Sequence, residues 1–243
     1  MSWSGRSKEL AVHPGLPVPV EIRPVRSARR LRLRFDERRR VLTLTCPFRT
    51  SRKAALAWAA EQRAWVDTQI AEQLPGEPFA AGAKVPVEGR DTRLVWAPGE
   101  ARTPHLAAEE LRCGGPESAF SRRVETFLKR LALDTLSRET AEIAAAAGVA
   151  PRSVSVGDAN TRWGSCSADR RIRYSWRLIL APIAARRFVV AHEVAHLVHL
   201  HHGAEFKRLE ERLFAQTSSG DVAAARSLLR RVGPRLKRIG RGD

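Results

Sequence analysis

Residues 189–206 read VVAHEVAHLVHLHHGAEF, and five of the chain's seven histidines fall within them, at positions 192, 196, 199, 201 and 202. Val189, Val190, Val194, Ala195, Leu197 and Val198 make the segment apolar enough for a buried helix. Two histidines and a glutamate inside such a helix are costly unless a ligand or hydrogen bonds satisfy them. The stretch therefore predicts a core helix that carries a polar site.

His192 and His196 stand four residues apart, so on a helix they differ by about 40° around the axis and about 6 Å along it. Both imidazoles then reach one tetrahedral zinc, and Glu193 can act as general base toward a water there. A third ligand has to come from beyond the helix. His199 would lie about 10 Å along the axis from His192, too far to share a metal, and reads as a support or pocket wall. His201 faces away. His202 reaches the cluster if the helix ends near residue 200 and the chain turns back, with Gly203 suited to that turn. Glu205 is the rival for the third position. The expected set is Glu193 as base and His192, His196 and His202 as ligands to one Zn2+ per chain.

Apolar residues make up 43% of the 243 and charged residues 28%, as in a folded protein. No apolar run approaches the roughly 20 residues that span a bilayer, so no membrane partner is expected. The opening MSWSGRSKEL has no apolar leader segment, and the expected compartment is cytoplasmic. Three scattered cysteines without a CxxC exclude a disulfide framework or a cysteine zinc site. Lys and Arg number 43 against 26 Asp and Glu, a net charge of +17. That excess makes nucleic acid a possible partner through counterion release, although no aromatic-rich nucleic-acid module accompanies it.

The fold class expected is α+β. A small N-terminal β-rich region with one helix is assigned to residues 18–100, with tails at 1–17 and 233–243 expected to be flexible. In it, Leu31, Leu33 and Phe35 alternate with arginines ahead of Val41–Cys46, the pattern of a hairpin. Ser51 caps a helix over about 52–73, with Trp58 and Trp65 on a shared core face. Strands follow near 84–88 and 92–96, and residues 97–117 read as a linker or loop. The catalytic domain is assigned to 118–232, with a mixed sheet and the HExxH helix. It opens on a helix over 119–147 ended by Gly148. A strand at 154–156, a loop through NTRWGSCSADRR (160–171) and a strand at 172–180 come next. Pro182 precedes the histidine helix, and two helices near 205–214 and 219–231 close the domain.

The stretch TRWGSCSADRRIRYSWRLILAP (161–182), HEVAH (192–196) and His202 to Phe206 together resemble the YgjP-like metallopeptidase family, related in motif to SprT-type and WLM-type proteases. RSARRLRLRF and the helix with Trp58 and Trp65 resemble the family's N-terminal part, so the likeness runs over roughly residues 20–215. The chain departs from the family pattern at Ser175, His201, Gly203 and Lys207, none of them a proposed ligand or the base. The resemblance implies a zincin-type, metal-dependent hydrolase acting on a peptide or protein substrate. Beside it stand a DNA-associated protease acting on DNA-bound proteins, and a non-catalytic metal- or nucleic-acid-binding protein. Around the centre, Arg162, Ser165, Tyr174 and His199 are candidate substrate-binding residues. Trp163 and Cys166 read as structural.

Overall fold

A computed structural model of the chain describes residues 10–37, 39–71, 75–159 and 162–242. It divides into two compact units, Met1–Leu74 and Pro75–Asp243. Each unit carries both sheet and helices, the α+β class expected.

In the first unit, β1 (Leu10–Ala11), β2 (Val20–Val25), β3 (Arg32–Asp36) and β4 (Val41–Pro47) form a sheet of order β1-β2-β4-β3. The expected hairpin is β3–β4, in antiparallel register with Phe35 opposite Leu42. β2 runs parallel to β4 and pairs Val20 with Leu42 and Ile22 with Leu44. Because side chains alternate across a strand, these apolar residues share one face. They pack with Ala55, Ala59 and Val66 of α1 (Arg52–Glu61) and α2 (Arg63–Ala71). Ser51 caps α1 as expected, its hydroxyl accepting from the Ala54 N–H.

The helix foreseen as continuous is broken at Gln62, and its last two foreseen residues, 72 and 73, lie outside the described ones. The break separates the two tryptophans. Trp58 packs against the core, whereas Trp65 is exposed. The N-terminal stretch expected to be flexible is anchored from residue 10 onward by β1 and by buried Ala11 and Leu16; residues 1–9 lie outside the described residues.

The second unit begins at Pro75, so the strands expected near 84–96 belong to it and not to an N-terminal region ending at residue 100. These are β5 (Lys84–Val87) and β6 (Arg90–Trp96), joined by a tight turn in which Glu88 and Gly89 both have positive φ. The segment foreseen as a linker supplies two more strands, β7 (His105–Ala107) and β8 (Glu110–Cys113), in a sheet of order β5-β6-β8-β7. Leu111 and Cys113 are fully buried there. Pieces of three and four residues between Pro and Gly carry too short a pattern to be told from loop.

α3 (Phe120–Ala146) is the long helix expected. It ends in a Schellman motif, with Gly148 at φ +66 and the Val149 N–H donating to the Ala144 carbonyl. The mixed three-stranded sheet then follows: β9 (Ser153–Gly157), β10 (Gly164–Cys166) and β11 (Arg171–Ser175), with β11 central, parallel to β9 and antiparallel to β10. Asn160 and Thr161 of the foreseen loop lie outside the described residues. The strand foreseen to residue 180 stops at Ser175. WRLIL (176–180) is instead a buried 3-10 turn, a distinction that a short continuous apolar run cannot make.

α4 (Ile183–Ala195) carries the histidines, and α5 (Ala204–Thr217) and α6 (Val222–Leu236) pack on it. Of the C-terminal stretch 233–243 expected to be flexible, the part through Ile239 is held in place, and residue 243 lies outside the described residues. Arg177, itself 2% exposed, donates to Asp158 and to the carbonyls of Leu236 and Ile239. Ile239 is fully buried.

Candidate metal centre

α4 buries Phe188, Val189, Val190, Ala191, Val194 and Ala195, which fixes its rotation about its own axis. His192 and His196 are thereby left half-buried on one side. The helix proper ends at Ala195, five residues short of the expected position. Its last turn tightens, with the N–H groups of Leu197 and Val198 donating to the carbonyls of Val194 and Ala195. Such three-residue closures satisfy carbonyls that an ending helix leaves free. The chain then doubles back through Leu200 and returns His202 to the helix.

Three ring nitrogens converge as a result. His202 Nε2 lies 3.1 Å from His196 Nε2 and 3.3 Å from His192 Nε2. With Zn–N bonds of about 2.0–2.1 Å, the edge of a coordination tetrahedron is about 3.3 Å, so the spacing fits a single ion. The protonation pattern fits it as well. His192 Nδ1 donates to Glu210 Oε1 at 2.7 Å, and His196 Nδ1 donates to the His199 carbonyl at 3.1 Å. Each bond fixes the tautomer that leaves Nε2 bare toward the cluster. Burial pushes the His196 imidazole below its usual pKa, favouring the neutral form that ligates. Lone pairs of neutral imidazoles at this separation repel unless a cation lies between them. The residues present fit a divalent metal held by His192, His196 and His202.

Phe206 forms the floor, fully buried with its ring centroid 4.6–5.1 Å from those of all three histidines. Glu205, the rival ligand, is exposed and paired with Arg208. His201 is exposed; His13 accepts the Gly15 N–H in a turn and His105 is exposed on β7, both remote in sequence from the cluster.

Glu193 is 4% exposed, and burial pushes its carboxyl up to about 7 against the opposing pull of His192 and Arg162. Its carboxylate lies on β10. A Cβ added at Gly164 would stand 2.4 Å from Glu193 Oε1 and 2.7 Å from its Cγ, so only glycine allows this approach. Here RWGSCS has a role that its own sequence does not reveal, since the partner of Gly164 is 29 residues away. Trp163 is structural as expected but packs on α6, where its ring lies against Gly233. Cys166 is half-buried, and burial pushes its thiol up, away from a nucleophile.

A cleft of about 250 Å3 runs along β10 and β11, lined by Arg162, Gly164, Ser165 and Tyr174 among others. Arg162 is exposed at its edge. The Tyr174 side chain does not present itself for substrate. It is 1% exposed, its hydroxyl is hydrogen-bonded to Thr140 Oγ1 at 3.0 Å, and burial raises its pKa far above the ordinary phenol value. His199 contributes through its carbonyl to the orientation of His196. Glu210 escaped the sequence reading. Its one signal was a carboxylate on the apolar face of α5, among Phe206, Leu209, Leu213 and Phe214.

No helix among the described residues is long and apolar enough to cross a membrane. No curated protein and no solved structure in the comparisons matches the chain. The family model of the YgjP-like metallopeptidase domain matches residues 29–220, through the hairpin, β10, the histidine helix and the returning loop. By that match over most of its length, the chain belongs to the YgjP-like metallopeptidase family, whose members are metal-dependent hydrolases.

Proposed function

We propose that the chain is a zinc-dependent peptidase in which His192, His196 and His202 hold one Zn2+ and Glu193 is the general base. The observation that carries this reading is the convergence of three histidine Nε2 atoms in a chain whose adjacent Glu193 carboxylate is buried. Bound there, zinc supplies Lewis acidity that polarises a carbonyl and brings the pKa of water near 7. Glu193 accepts the proton as the water oxygen attacks the peptide carbon, and returns it to the amine as the C–N bond breaks. Glu210 and the His199 carbonyl hold the ligand rings in orientation. Arg162 and Ser165 line the cleft in which a peptide or protein segment would lie.

Metal content per chain and peptidase turnover test the reading together. Wild type should carry about one zinc, and His202→Ala should lose most of it. Glu193→Gln should keep the metal and lose about 10²–10⁴-fold in turnover. Unchanged turnover in Glu193→Gln would favour a non-catalytic metal protein instead.

A second reading, a DNA-associated protease that acts on DNA-bound proteins, rests on the outer face of the first unit's sheet. There Arg32 and Arg34 are exposed beside Thr45 and Thr43, in a chain of net charge +17. Steeply salt-dependent binding to random duplex would support it, and no binding at low salt would end it.

A further inference from the structure

Two arginines, Arg162 and Arg173, and one carboxylate, Asp158, line the cleft along β10 and β11. Asp158 is already engaged, accepting from Nε of the buried Arg177 at 3.0 Å. The two lining arginines are both exposed. Among the described residues neither of their guanidinium groups makes a hydrogen bond or an ion pair. The cleft therefore carries positive charge that the fold itself does not use.

Arg173 stands opposite Ser165 in the antiparallel register of β11 and β10, so the two side chains share one face of the sheet. Its guanidinium lies against Gly157 of β9, where a Cβ would stand 2.5 Å from Nη2 and 2.6 Å from Nε. The glycine makes room for the fork, and packing there reduces the rotamer freedom that binding would otherwise cost. Arg162 precedes β10, two residues ahead of Gly164, which touches the candidate base Glu193. One exposed arginine is ordinary in a chain of net charge +17. Sharing one cleft, on the strand that touches Glu193, singles these two out.

An arginine fork matches the two oxygens of a carboxylate and holds them through charge-assisted N–H donors. We propose that Arg162 and Arg173 anchor a carboxylate of the peptide that occupies the cleft, a specificity determinant that rests on the peptidase reading above. The cleft volume of about 250 Å3 is several times the roughly 30 Å3 share of one water, enough for a carboxylate and the stem that carries it. That carboxylate comes from an acidic side chain or from the C-terminus of the peptide.

Fluorescence anisotropy of labelled hexapeptides on the full, zinc-loaded chain carrying Glu193→Gln tests this without cleavage. Three peptides are compared: a neutral one with an amidated end, the same peptide with one Glu, and the neutral peptide with a free C-terminal carboxylate. A carboxylate that reaches the anchor should tighten binding about 10-fold over the neutral peptide. Preference for the Glu peptide would identify the side chain as the source, and preference for the free end the C-terminus. Arg162→Ala and Arg173→Ala should each remove most of that preference. Arg90→Ala, which takes the same charge from the exposed start of β6, should keep it. Equal affinity for all three peptides would overturn the proposal, as would a preference that survives both cleft variants or is lost equally in Arg90→Ala. Peptide cleavage by the chain with Glu193 intact is read separately. An arginine-dependent preference without any cleavage would keep the anchor and end the peptidase reading, and cleavage indifferent to carboxylates would do the reverse.

Discussion

Gly164 and Glu193 are in contact across the boundary between β10 and α4, so close that a Cβ on the glycine would lie 2.4 Å from the glutamate's Oε1. The strand acts as a backstop for the carboxylate. Gly164→Ala should push Glu193 aside while leaving the three histidines where they are. Misplacement of a reacting group by about 1 Å costs on the order of 10²-fold in rate. The expected outcome is therefore a 10²-fold fall in peptidase turnover at unchanged zinc content, and wild-type turnover would show that the contact has no part in catalysis.

Glu210 accepts a hydrogen bond from His192 Nδ1 and an ion pair from Arg226, while itself 2% exposed. Partners that orient a ligating histidine typically contribute 10–100-fold to metal affinity. Glu210→Gln should weaken zinc binding by that factor in competition with a chromophoric chelator. Arg226→Ala, which leaves the histidine contact in place, should change it much less. Equal losses in the two variants would argue for a general effect on folding.

The metal-free protein should show a pH dependence set by Glu193. Its carboxyl is raised from 4.5 to about 7 by burial. A group whose folded pKa is raised contributes stability that is intact below its unfolded pKa and is lost as pH climbs through the folded one. At about 1.4 kcal/mol per pH unit, the loss between pH 4.5 and pH 8 reaches up to about 3 kcal/mol. Glu193→Gln has no such proton to lose. Urea unfolding of both proteins after metal removal, at pH 5 and pH 8, should show a gap that opens only at pH 8. Parallel curves at both values would contradict the assignment.

Tyr174 belongs to the core. Tyr174→Phe keeps the ring and removes the bond to Thr140, leaving a buried hydroxyl unpaired. That costs about 1–3 kcal/mol of stability, read as a lower urea midpoint, with turnover per zinc unaltered. A fall in turnover without a change in stability would return the tyrosine to the cleft.

Sequence alone determined what depends on local spacing. The interval between His192 and His196 puts both rings on one side of a helix whatever surrounds it. The alternation in Leu31, Leu33 and Phe35 specifies a strand with one apolar face, and Gly148 specifies the left-handed end of α3. The composition around HEVAH also predicted that the helix would be buried. Tertiary structure decided everything that needed a partner from elsewhere in the chain. His202 meets His192 and His196 because α4 stops at Ala195 and the following turn folds back, an arrangement that buries Phe206 against the three rings. Glu210 is a support because α5 lays its apolar face on α4. Gly164 acquires its meaning from a carboxylate 29 residues downstream, and the Tyr174 hydroxyl is turned into the core by Thr140 of α3 while the residue still borders the cleft. Even β7 and β8 are strands chiefly through pairing, since neither is long enough to be specified by its own pattern. Local periodicity is a property of a few adjacent residues, whereas burial and hydrogen-bond partnership belong to pairs that only folding brings together.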